Sequence, residues 1–423
     1  MRLYSTLARD LVELPAPPGP IRMYVCGPTV YARAHVGNAR PFVLGMWLRR
    51  WLREQGYDAT LVHNITDVND KIYEAAPGAS AELAERATAW YLADTGDLGL
   101  GMPDHLPRAT EHIPGIVDST QRLIDAGHAY AVEGDVYFRV ASWPAYGELS
   151  GQRPDQVEEQ EPNPLKEDPR DFALWKANKP GEDTAWEAPW GRGRPGWHIE
   201  CSVMAEELLG PVFEIHGGGL DLVFPHHENE LAQSRALGHE FAQVWAHNGM
   251  LQFTGEKMSK SVGNVTTLRE AIDEWGAATL LLFFLTGHWR KPIDFSEETV
   301  AAAVARGEGF REVFRQTPEP APDGAWERFS AELDDDFNTP GALAVMHEWR
   351  DHELLRRALE LFGLGALAEQ EDAPAEVVSL ADARERARAN RDFGEADRLR
   401  DAIAAAGWDV RDEASGFRLV RRA

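Results

Sequence analysis

The chain has 423 residues, of which 43% are hydrophobic and 26% are charged, and it contains only two cysteines. This composition is typical of a globular protein and excludes wholesale disorder, a collagen-like fibre and a disulfide-stapled scaffold. The formal net charge of -26 argues against a general nucleic-acid coat, which needs a basic surface.

The length of the chain predicts two or three domains. No run of about 18 apolar residues occurs, so we expect no membrane span. The segment Met1–Ser5 lacks the apolar region of a signal peptide. We therefore expect a cytoplasmic protein without membrane association.

The opening third of the chain alternates between strand and helix patterns. Ile21–Val25 is rich in β-formers, Phe42–Gln55 has apolar residues at helical spacing, and Ala59–Ile65 is a second strand. Strand, helix and strand in about 45 residues predict a right-handed βαβ unit and hence a parallel sheet. A further helix is predicted over Ala81–Asp94.

The pattern changes near residue 103, where proline and acidic residues accumulate and tryptophans stand among glycines and prolines. We interpret this stretch as an irregular insertion. The strand pattern resumes at Val212–Ile215 and Val244–His247, and helices are predicted over Thr267–Glu274 and Ala277–Leu285. After Glu297 the pattern is almost purely helical, so we predict an α/β fold followed by an all-α C-terminal region.

Four residues from three distant segments form a candidate zinc shell. Cys26 ends a strand, Cys201 lies in a Trp-His-Ile-Glu-Cys segment, and His226 and Glu230 are four residues apart, on one face of a helix. Two thiolates, an imidazole and a carboxylate are suitable Zn²⁺ ligands. The alternative is that both cysteines are small buried apolar residues and that His226 and Glu230 are a surface pair.

Two short segments are candidates for phosphate binding. His35-Val36-Gly37-Asn38 follows a strand and opens a helix, whose N-terminal N–H groups favour an anion. Lys257-Met258-Ser259-Lys260-Ser261 places two ammonium groups between glycines, which suits a polyphosphate. Each segment taken alone has a structural alternative. For the first segment it is helix capping, and for the second it is an ordinary surface loop.

Together, these segments resemble the HIGH and KMSKS signatures of class I aminoacyl-tRNA synthetases. Within that class, the chain resembles the cysteinyl-tRNA synthetase family over nearly its whole length. The stretches that carry this resemblance are Tyr24–Tyr31, Asn64–Ile72, Pro195–Ser202, Gly217–Glu230 and Asp336–Pro340.

The resemblance implies the domain organisation and the reaction. It implies a Rossmann-like catalytic domain over 1–250 with an insertion at roughly 103–195, a KMSKS loop and stem-contact helical region over 251–310, and a shortened anticodon-binding region over 311–423. It further implies a monomer that activates L-cysteine with ATP and Mg²⁺ and transfers the cysteinyl group to tRNA(Cys).

The resemblance also assigns roles to individual residues. One Zn²⁺ per chain would be bound by Cys26, Cys201, His226 and Glu230. The catalytic signature residues would be His35, Asn38, Lys257 and Lys260. ATP would contact His35, Asn38, Gly217, Gly218, Gly219, Asp221 and Lys260. The substrate cysteine would lie beside Thr66, Trp197 and His216.

Zinc would explain selection of cysteine over serine, because Zn²⁺ binds a thiolate far better than a hydroxyl. On an acidic chain, tRNA would need a narrow basic path. The candidates are Arg398, Arg400, Arg418, Arg421 and Arg422, although Arg398 and Arg400 could instead pair with neighbouring acids on a solvated helix face.

Three other functions compete with this assignment. An ATP-dependent ligase that joins cysteine to an amino-sugar in mycothiol synthesis would share the signatures and the zinc. A non-catalytic RNA-binding paralogue would share the fold but would not need the signature lysines. A zinc hydrolase is disfavoured, because no HExxH spacing occurs.

Overall fold

The computed structural model describes residues 1–152, 162–253, 266–369, 373–413 and 416–421. The strands of this part of the chain are β1 (Arg2–Ser5), β2 (Asp10–Glu13), β3 (Pro20–Val25), β4 (Asp58–His63), β5 (Ala129–Val132), β6 (Asp135–Phe138), β7 (Phe172–Ala177), β8 (Gly193–Pro195), β9 (Val212–Gly219), β10 (Phe241–Asn248), β11 (Leu251–Gln252), β12 (Ile293–Asp294), β13 (Trp408–Glu413) and β14 (Gly416–Arg421).

The same residues form fourteen α-helices, and no described helix has both the length and the apolar character needed to cross a bilayer. The helices are α1 (Ala39–Glu54), α2 (Asp70–Ala75), α3 (Ser80–Gly96), α4 (Ile113–Asp125), α5 (Trp197–Leu209), α6 (Glu228–Ala236), α7 (Leu268–Trp275), α8 (Ala277–Leu285), α9 (Glu297–Arg315), α10 (Ala325–Asp334), α11 (Thr339–Glu348), α12 (His352–Leu361), α13 (Ala375–Ala389) and α14 (Phe393–Ala405).

The predicted βαβ unit is the start of a parallel sheet with strand order β10-β9-β3-β4. Four of the six residues in each of β3 and β4 are buried, as expected for a parallel sheet that is covered on both faces. Helix α1 covers one face and buries Trp47 and Trp51 completely. The chain therefore has the predicted α/β architecture in its first half.

The strand order places the site. Since all four strands run parallel, the loops after β3, β4, β9 and β10 leave the sheet at one edge. From β3 the chain crosses to β4 on one side, and it later adds β9 and β10 on the other side. Such a reversal of strand order opens a crevice at the carboxyl edge of a sheet, where ligands bind in open α/β folds.

The insertion is regular, which corrects the sequence-based interpretation. Strands β5 to β8 form an antiparallel sheet in the order β5-β6-β7-β8, and α4 packs against it. Trp175 is buried in this unit, with its ring in T-shaped contact with Trp190. Strands of three to six residues have too little periodicity to be recognised from sequence alone, and long connections separate β6 from β7 and β7 from β8.

The C-terminal region is helical as predicted, but it ends in the antiparallel hairpin β13–β14. The prediction of an all-α region was therefore wrong for its last residues. Charged residues alternate with apolar ones in β13, where Trp408 is 5% exposed and joins the cluster of Val377, Ala381 and Ile403. This short alternation is easily missed beside a long stretch with helical composition.

Candidate active site

The four predicted metal ligands converge beneath the carboxyl edge of the parallel sheet. Cys26 directly follows β3, Cys201 lies in the second turn of α5, and His226 and Glu230 flank the start of α6. All four side chains are buried, and their exposed fractions do not exceed 5%. Residues that are 204 positions apart in sequence thus share one enclosed cluster.

The distances within this cluster suit a tetrahedral ion. The Cys26 and Cys201 Sγ atoms are 3.8 Å apart, the Cys26 Sγ lies 3.7 Å from Glu230 Oε1, and His226 Nε2 lies 3.0 Å from the same oxygen. A disulfide would need about 2.05 Å between the sulfurs. Two thiolates at about 2.3 Å from a tetrahedral Zn²⁺ would lie about 3.8 Å apart.

Electrostatics also favour a cation in this cluster. Burial, together with the neighbouring Cys201, raises the pKa of Cys26 well above its usual range, and burial does the same to the pKa of Glu230. Burial and the neighbouring histidines hold the pKa of His226 well below its usual value. The donors are thus costly to ionise unless a positive ion compensates them, and this donor set fits Zn²⁺.

A second potential ligand set overlaps the first and was missed by the sequence analysis. Cys26, His216, His227 and Glu230 also bring one donor atom each within 4.8 Å of one another. The Nε2 atom of His227 is 3.3 Å from Cys26 Sγ, and its Nδ1 is 2.7 Å from His247 Nε2. The tandem His226-His227 is the signal in the sequence that could have indicated this larger histidine cluster.

Two glycines allow this close packing. A Cβ atom at Gly27 would lie 1.7 Å from the backbone oxygen of Asn64, so no other residue fits where the loops after β3 and β4 meet. A Cβ atom at Gly218 would lie 2.8 Å from the ring of His227. The glycine run of β9 therefore makes room for the histidine cluster.

A cavity of about 330 Å³ opens beside the cluster at the sheet edge. Cys26 and Trp197 line it, together with four residues predicted to contact ATP, namely His35, Asn38, Gly219 and Asp221. Gly217 and Gly218 are buried in β9 and do not line this cavity. The structure therefore brings the candidate metal cluster and the HIGH-like segment to one cavity.

His35 and Asn38 have a structural role that the sequence analysis had considered. The His35 backbone N–H donates to Asn38 Oδ1 over 3.2 Å, and the Asn38 N–H donates to the His35 carbonyl oxygen over 2.9 Å. Burial lowers the pKa of His35, so its imidazole is neutral near pH 7. The Nδ1 atom of His35 is buried and finds no partner among the described residues, and His35 is one of the residues that line the cavity.

Of the three residues predicted to surround the substrate cysteine, one lines the cavity and two are buried behind it. Trp197 lines the cavity and stacks on His226, with ring centroids 4.1 Å apart. Thr66 is buried and accepts a hydrogen bond from Asn64 Nδ2 over 3.3 Å. His216 is fully buried, and its Nε2 lies 2.8 Å from Glu230 Oε2, so it supports that carboxylate from behind.

The remaining predicted contacts concern phosphates and tRNA. Lys257 and Lys260 lie outside the described residues, as does Arg422, and the Arg421 side chain is not described. Arg398 pairs with Glu395 over 2.6 Å and Arg400 with Asp397 over 3.5 Å. These two pairs are the exposed ion pairs that the sequence analysis gave as the alternative. Arg418 Nη1 donates to the Arg315 carbonyl oxygen over 2.9 Å.

Comparisons with known proteins identify the family. Residues 14–305 match the family model of the class I (C) tRNA synthetase catalytic domain, 328–364 a DALR domain, and 370–417 the cysteinyl-tRNA ligase anticodon-binding domain. A cysteine--tRNA ligase of Pseudothermotoga lettingae is 43% identical over 98% of both chains. One from Alkalilimnicola ehrlichii is 45% identical over 95% of both chains.

The fold has distant structural relatives as well. The methionyl-tRNA synthetase of Mycobacterium tuberculosis in complex with methionyl-adenylate superimposes with a TM-score of 0.60 at 15% identity, covering 82% of this chain and 88% of that one. This likeness supports the fold alone. The matched catalytic and anticodon-binding domains and the near-complete coverage by relatives show that the chain belongs to the cysteine--tRNA ligase family of class I aminoacyl-tRNA synthetases.

Proposed function

We propose that this chain is a cysteine--tRNA ligase that charges tRNA(Cys) in two steps at the cavity beside Cys26. The observation that supports this function best is the buried cluster of two thiols, an imidazole and a carboxylate, next to the HIGH-like segment. In the first step, a carboxylate oxygen of cysteine attacks the α-phosphorus of ATP, the bond to the bridging oxygen breaks, and pyrophosphate leaves with the bonding electrons. In the second step, a terminal ribose hydroxyl of tRNA attacks the carbonyl carbon, and AMP leaves.

Cys26, Cys201, His226 and Glu230 are the proposed ligands of one Zn²⁺. The chemistry that the ion supplies when bound is selection of a thiolate over the hydroxyl of serine. His216 is proposed to orient the metal-binding carboxylate, because it holds Glu230 Oε2 while Oε1 faces His226 and Cys26. A hydrogen bond from a residue behind a metal ligand determines the direction in which that ligand points.

Activation of the phosphates is proposed to rest on His35, Asn38 and Lys260, with Lys257 assisting. His35 lines the cavity, and burial lowers the pKa of its imidazole, so a neutral ring is proposed to face the bound nucleotide. Gly219 and Asp221, at the end of β9, are proposed to receive the nucleoside. Mg²⁺ would accompany ATP as the substrate complex.

The partner in the second step is tRNA(Cys), and the anticodon-binding region is proposed to select it. The net charge of -26 repels the RNA backbone, so contact must depend on local arginines. Arg398 and Arg400 are exposed, and among the described residues their ion-pair partners are neighbouring acids on the same helix, so they can exchange these partners for phosphates. A cytoplasmic monomer remains our prediction for the functional state.

The test is cysteine-dependent ATP–pyrophosphate exchange, followed by charging of a tRNA(Cys) transcript and by elemental analysis. We expect exchange with cysteine and not with serine, charging of the transcript, and one zinc per chain. Exchange without charging, together with ligation of cysteine to an amino-sugar, would instead establish the mycothiol-type ligase. RNA binding without exchange would identify a non-catalytic paralogue.

A further inference from the structure

The cavity has a cationic and aromatic feature that the proposed contacts with cysteine and ATP do not use. Tyr31 and Lys71 both line it, and Lys71 Nζ lies 5.5 Å from the centroid of the Tyr31 ring. The Tyr31 side chain remains 41% exposed, which is unusual for a large aromatic residue at the mouth of a buried site. A flat ring and a positive charge together match a nucleotide, which has a flat base and a phosphate.

Both residues are held by the backbone of neighbouring loops. Tyr31 follows β3 in a loop that runs beside the loop after β4, where Val30 N–H donates to the Thr66 carbonyl oxygen and Thr66 N–H to that of Pro28, both over 3.1 Å. Lys71 lies in α2, whose first turn is capped by Asn69. The pair is thus presented by anchored backbone with its side chains free in the cavity.

Contacts with the insertion anchor Lys71 further. Its neighbour Asp70 forms ion pairs with Lys176, over 2.8 Å, and with Arg194, both in strands of the insertion sheet. The pair therefore lies where the catalytic sheet and the insertion meet. A ligand that approached between these two units would reach Tyr31 and Lys71 on its way to Cys26.

The charges of the cavity suit a polyanion, although the chain as a whole is acidic. Asp221 is the only carboxylate among the described residues that line the cavity. The other lining cation near the pair, Arg33, is neutralised by Asp94 over 3.0 Å. Lys71 has no carboxylate partner in the part of the chain that the structure describes, so its charge is available to a ligand phosphate.

The order of the strands separates Lys71 from Gly219 and Asp221, the proposed nucleoside contacts of ATP. Lys71 follows β4 at one edge of the sheet, whereas Gly219 ends β9, two strands away, and Asn248 ends β10, three strands away. At about 4.8 Å per strand, the ends of β9 and β10 lie roughly 10 and 14 Å across the sheet from the end of β4. One ATP molecule whose nucleoside lies at Gly219 and Asp221 leaves the Tyr31–Lys71 pair for a second nucleotide.

We propose that Tyr31 and Lys71 bind the 3′-terminal nucleotide of the tRNA, with the base stacked on Tyr31 and a backbone phosphate paired with Lys71. This inference rests on the proposed function. It assigns the pair to positioning of the ribose hydroxyl for the transfer step and gives it no part in adenylate formation.

The test compares the two steps in Tyr31→Ala, Tyr31→Phe and Lys71→Ala, with the exposed Lys291→Ala as the matched control. We expect the alanine variants to slow single-turnover transfer from preformed adenylate at subsaturating tRNA by roughly tenfold to a hundredfold, the typical effect of losing a stacked base. Pyrophosphate exchange should change less than about threefold, because the pair has no part in adenylate formation. Tyr31→Phe retains the ring and should behave like the wild type.

A binding measurement isolates the contact from any structural effect. The wild type should bind full-length tRNA more tightly than tRNA that lacks its 3′-terminal nucleotide, and Tyr31→Ala should lose this preference. Equal losses of exchange and transfer would assign the pair to ATP and overturn the inference, as would a retained preference for full-length tRNA. A wild type without exchange or charging would instead refute the proposed function.

Discussion

The carboxyl edge of the catalytic sheet and the C-terminal helical region use charged groups in opposite ways. At the sheet edge, Cys26 and Glu230 are buried with their donor atoms 3.7 Å apart. In α14, Arg398 and Arg400 are exposed and paired with acids three residues away. Substitution of one buried donor leaves the others without compensation and is therefore costly. Exposed ion pairs contribute little to stability, so their arginines can exchange an acidic partner for another anion.

The largest expected effect is at the metal cluster. Cys201→Ser should lose the bound zinc and cysteine-dependent pyrophosphate exchange together, because a serine hydroxyl is a poor ligand for Zn²⁺ at neutral pH. Elemental analysis and the exchange assay measure the two losses. Glu207→Gln, an exposed change in the same helix α5, is the control that should keep both. A Cys201→Ser protein that retained one zinc and full exchange would contradict the assignment.

The next largest effect is expected at the KMSKS lysine. Lys260→Ala should slow adenylate formation by roughly 10²–10³-fold and change the apparent KM for cysteine little, because its charge acts on the departing pyrophosphate in the transition state. The rate of adenylate formation is measured before the steady state is reached, and Lys291→Ala is the exposed control. This prediction rests on sequence alone, and an unchanged exchange rate in Lys260→Ala would refute it.

A smaller effect is expected on stability, through the pH dependence of His63. This residue is buried beneath the same sheet edge. Burial lowers the pKa of His63 to about 4, although its Nδ1 lies 2.9 Å from the Val25 carbonyl oxygen. Since an unfolded histidine titrates near pH 6.5, stability should fall as pH drops from about 6.5 toward 4. This single group should contribute a loss of about 2 kcal/mol between pH 7 and pH 5.

The measurement is the free energy of unfolding in urea at the two pH values for wild type, His63→Gln and the exposed His105→Gln. His63→Gln should reduce the loss between pH 7 and pH 5, and His105→Gln should not. If both variants showed the same loss as the wild type, His63 would not be the titrating group.

The smallest effect on stability is expected in the C-terminal region. The double variant Arg398→Ala/Arg400→Ala should keep its unfolding midpoint, because both ion pairs are exposed. It should weaken tRNA binding and lower the salt slope of that binding by about two, one for each lost phosphate contact. Salt-dependent binding of tRNA measures this effect, with Glu395→Gln as a control that frees Arg398 and keeps its charge.

Point substitutions are a sharper test here than truncation after Gly407. Truncation would also remove Trp408, which is 5% exposed in the cluster around Ile403, and would therefore disturb the fold of this region. Unchanged tRNA binding in the arginine variant would mean that these two ion pairs lie on a solvated helix face and do not contact tRNA.

The sequence alone determined the local chemistry of this protein. The βαβ unit followed from the periodicity of Ile21–Val25 and Phe42–Gln55, and the family resemblance followed from short segments such as Lys257–Ser261. These features could be recognised because strand and helix periodicity, and the residues that contact phosphates, are local in sequence. The insertion sheet was missed because its strands are short and β6 pairs with β7 across a long connection, and the C-terminal hairpin was missed because its short strands follow a long stretch of helical composition.

Only the tertiary structure decided which side chains meet. It showed that His227 joins the cluster, that His216 lies behind Glu230, and that Tyr31 and Lys71 share the cavity. These residues belong to strands, helices and loops that are distant in sequence and lie near one sheet edge, and the order of strands in the sheet determines which of these segments become neighbours. Strand order arises from packing of the whole domain, so no local pattern of residues specifies it.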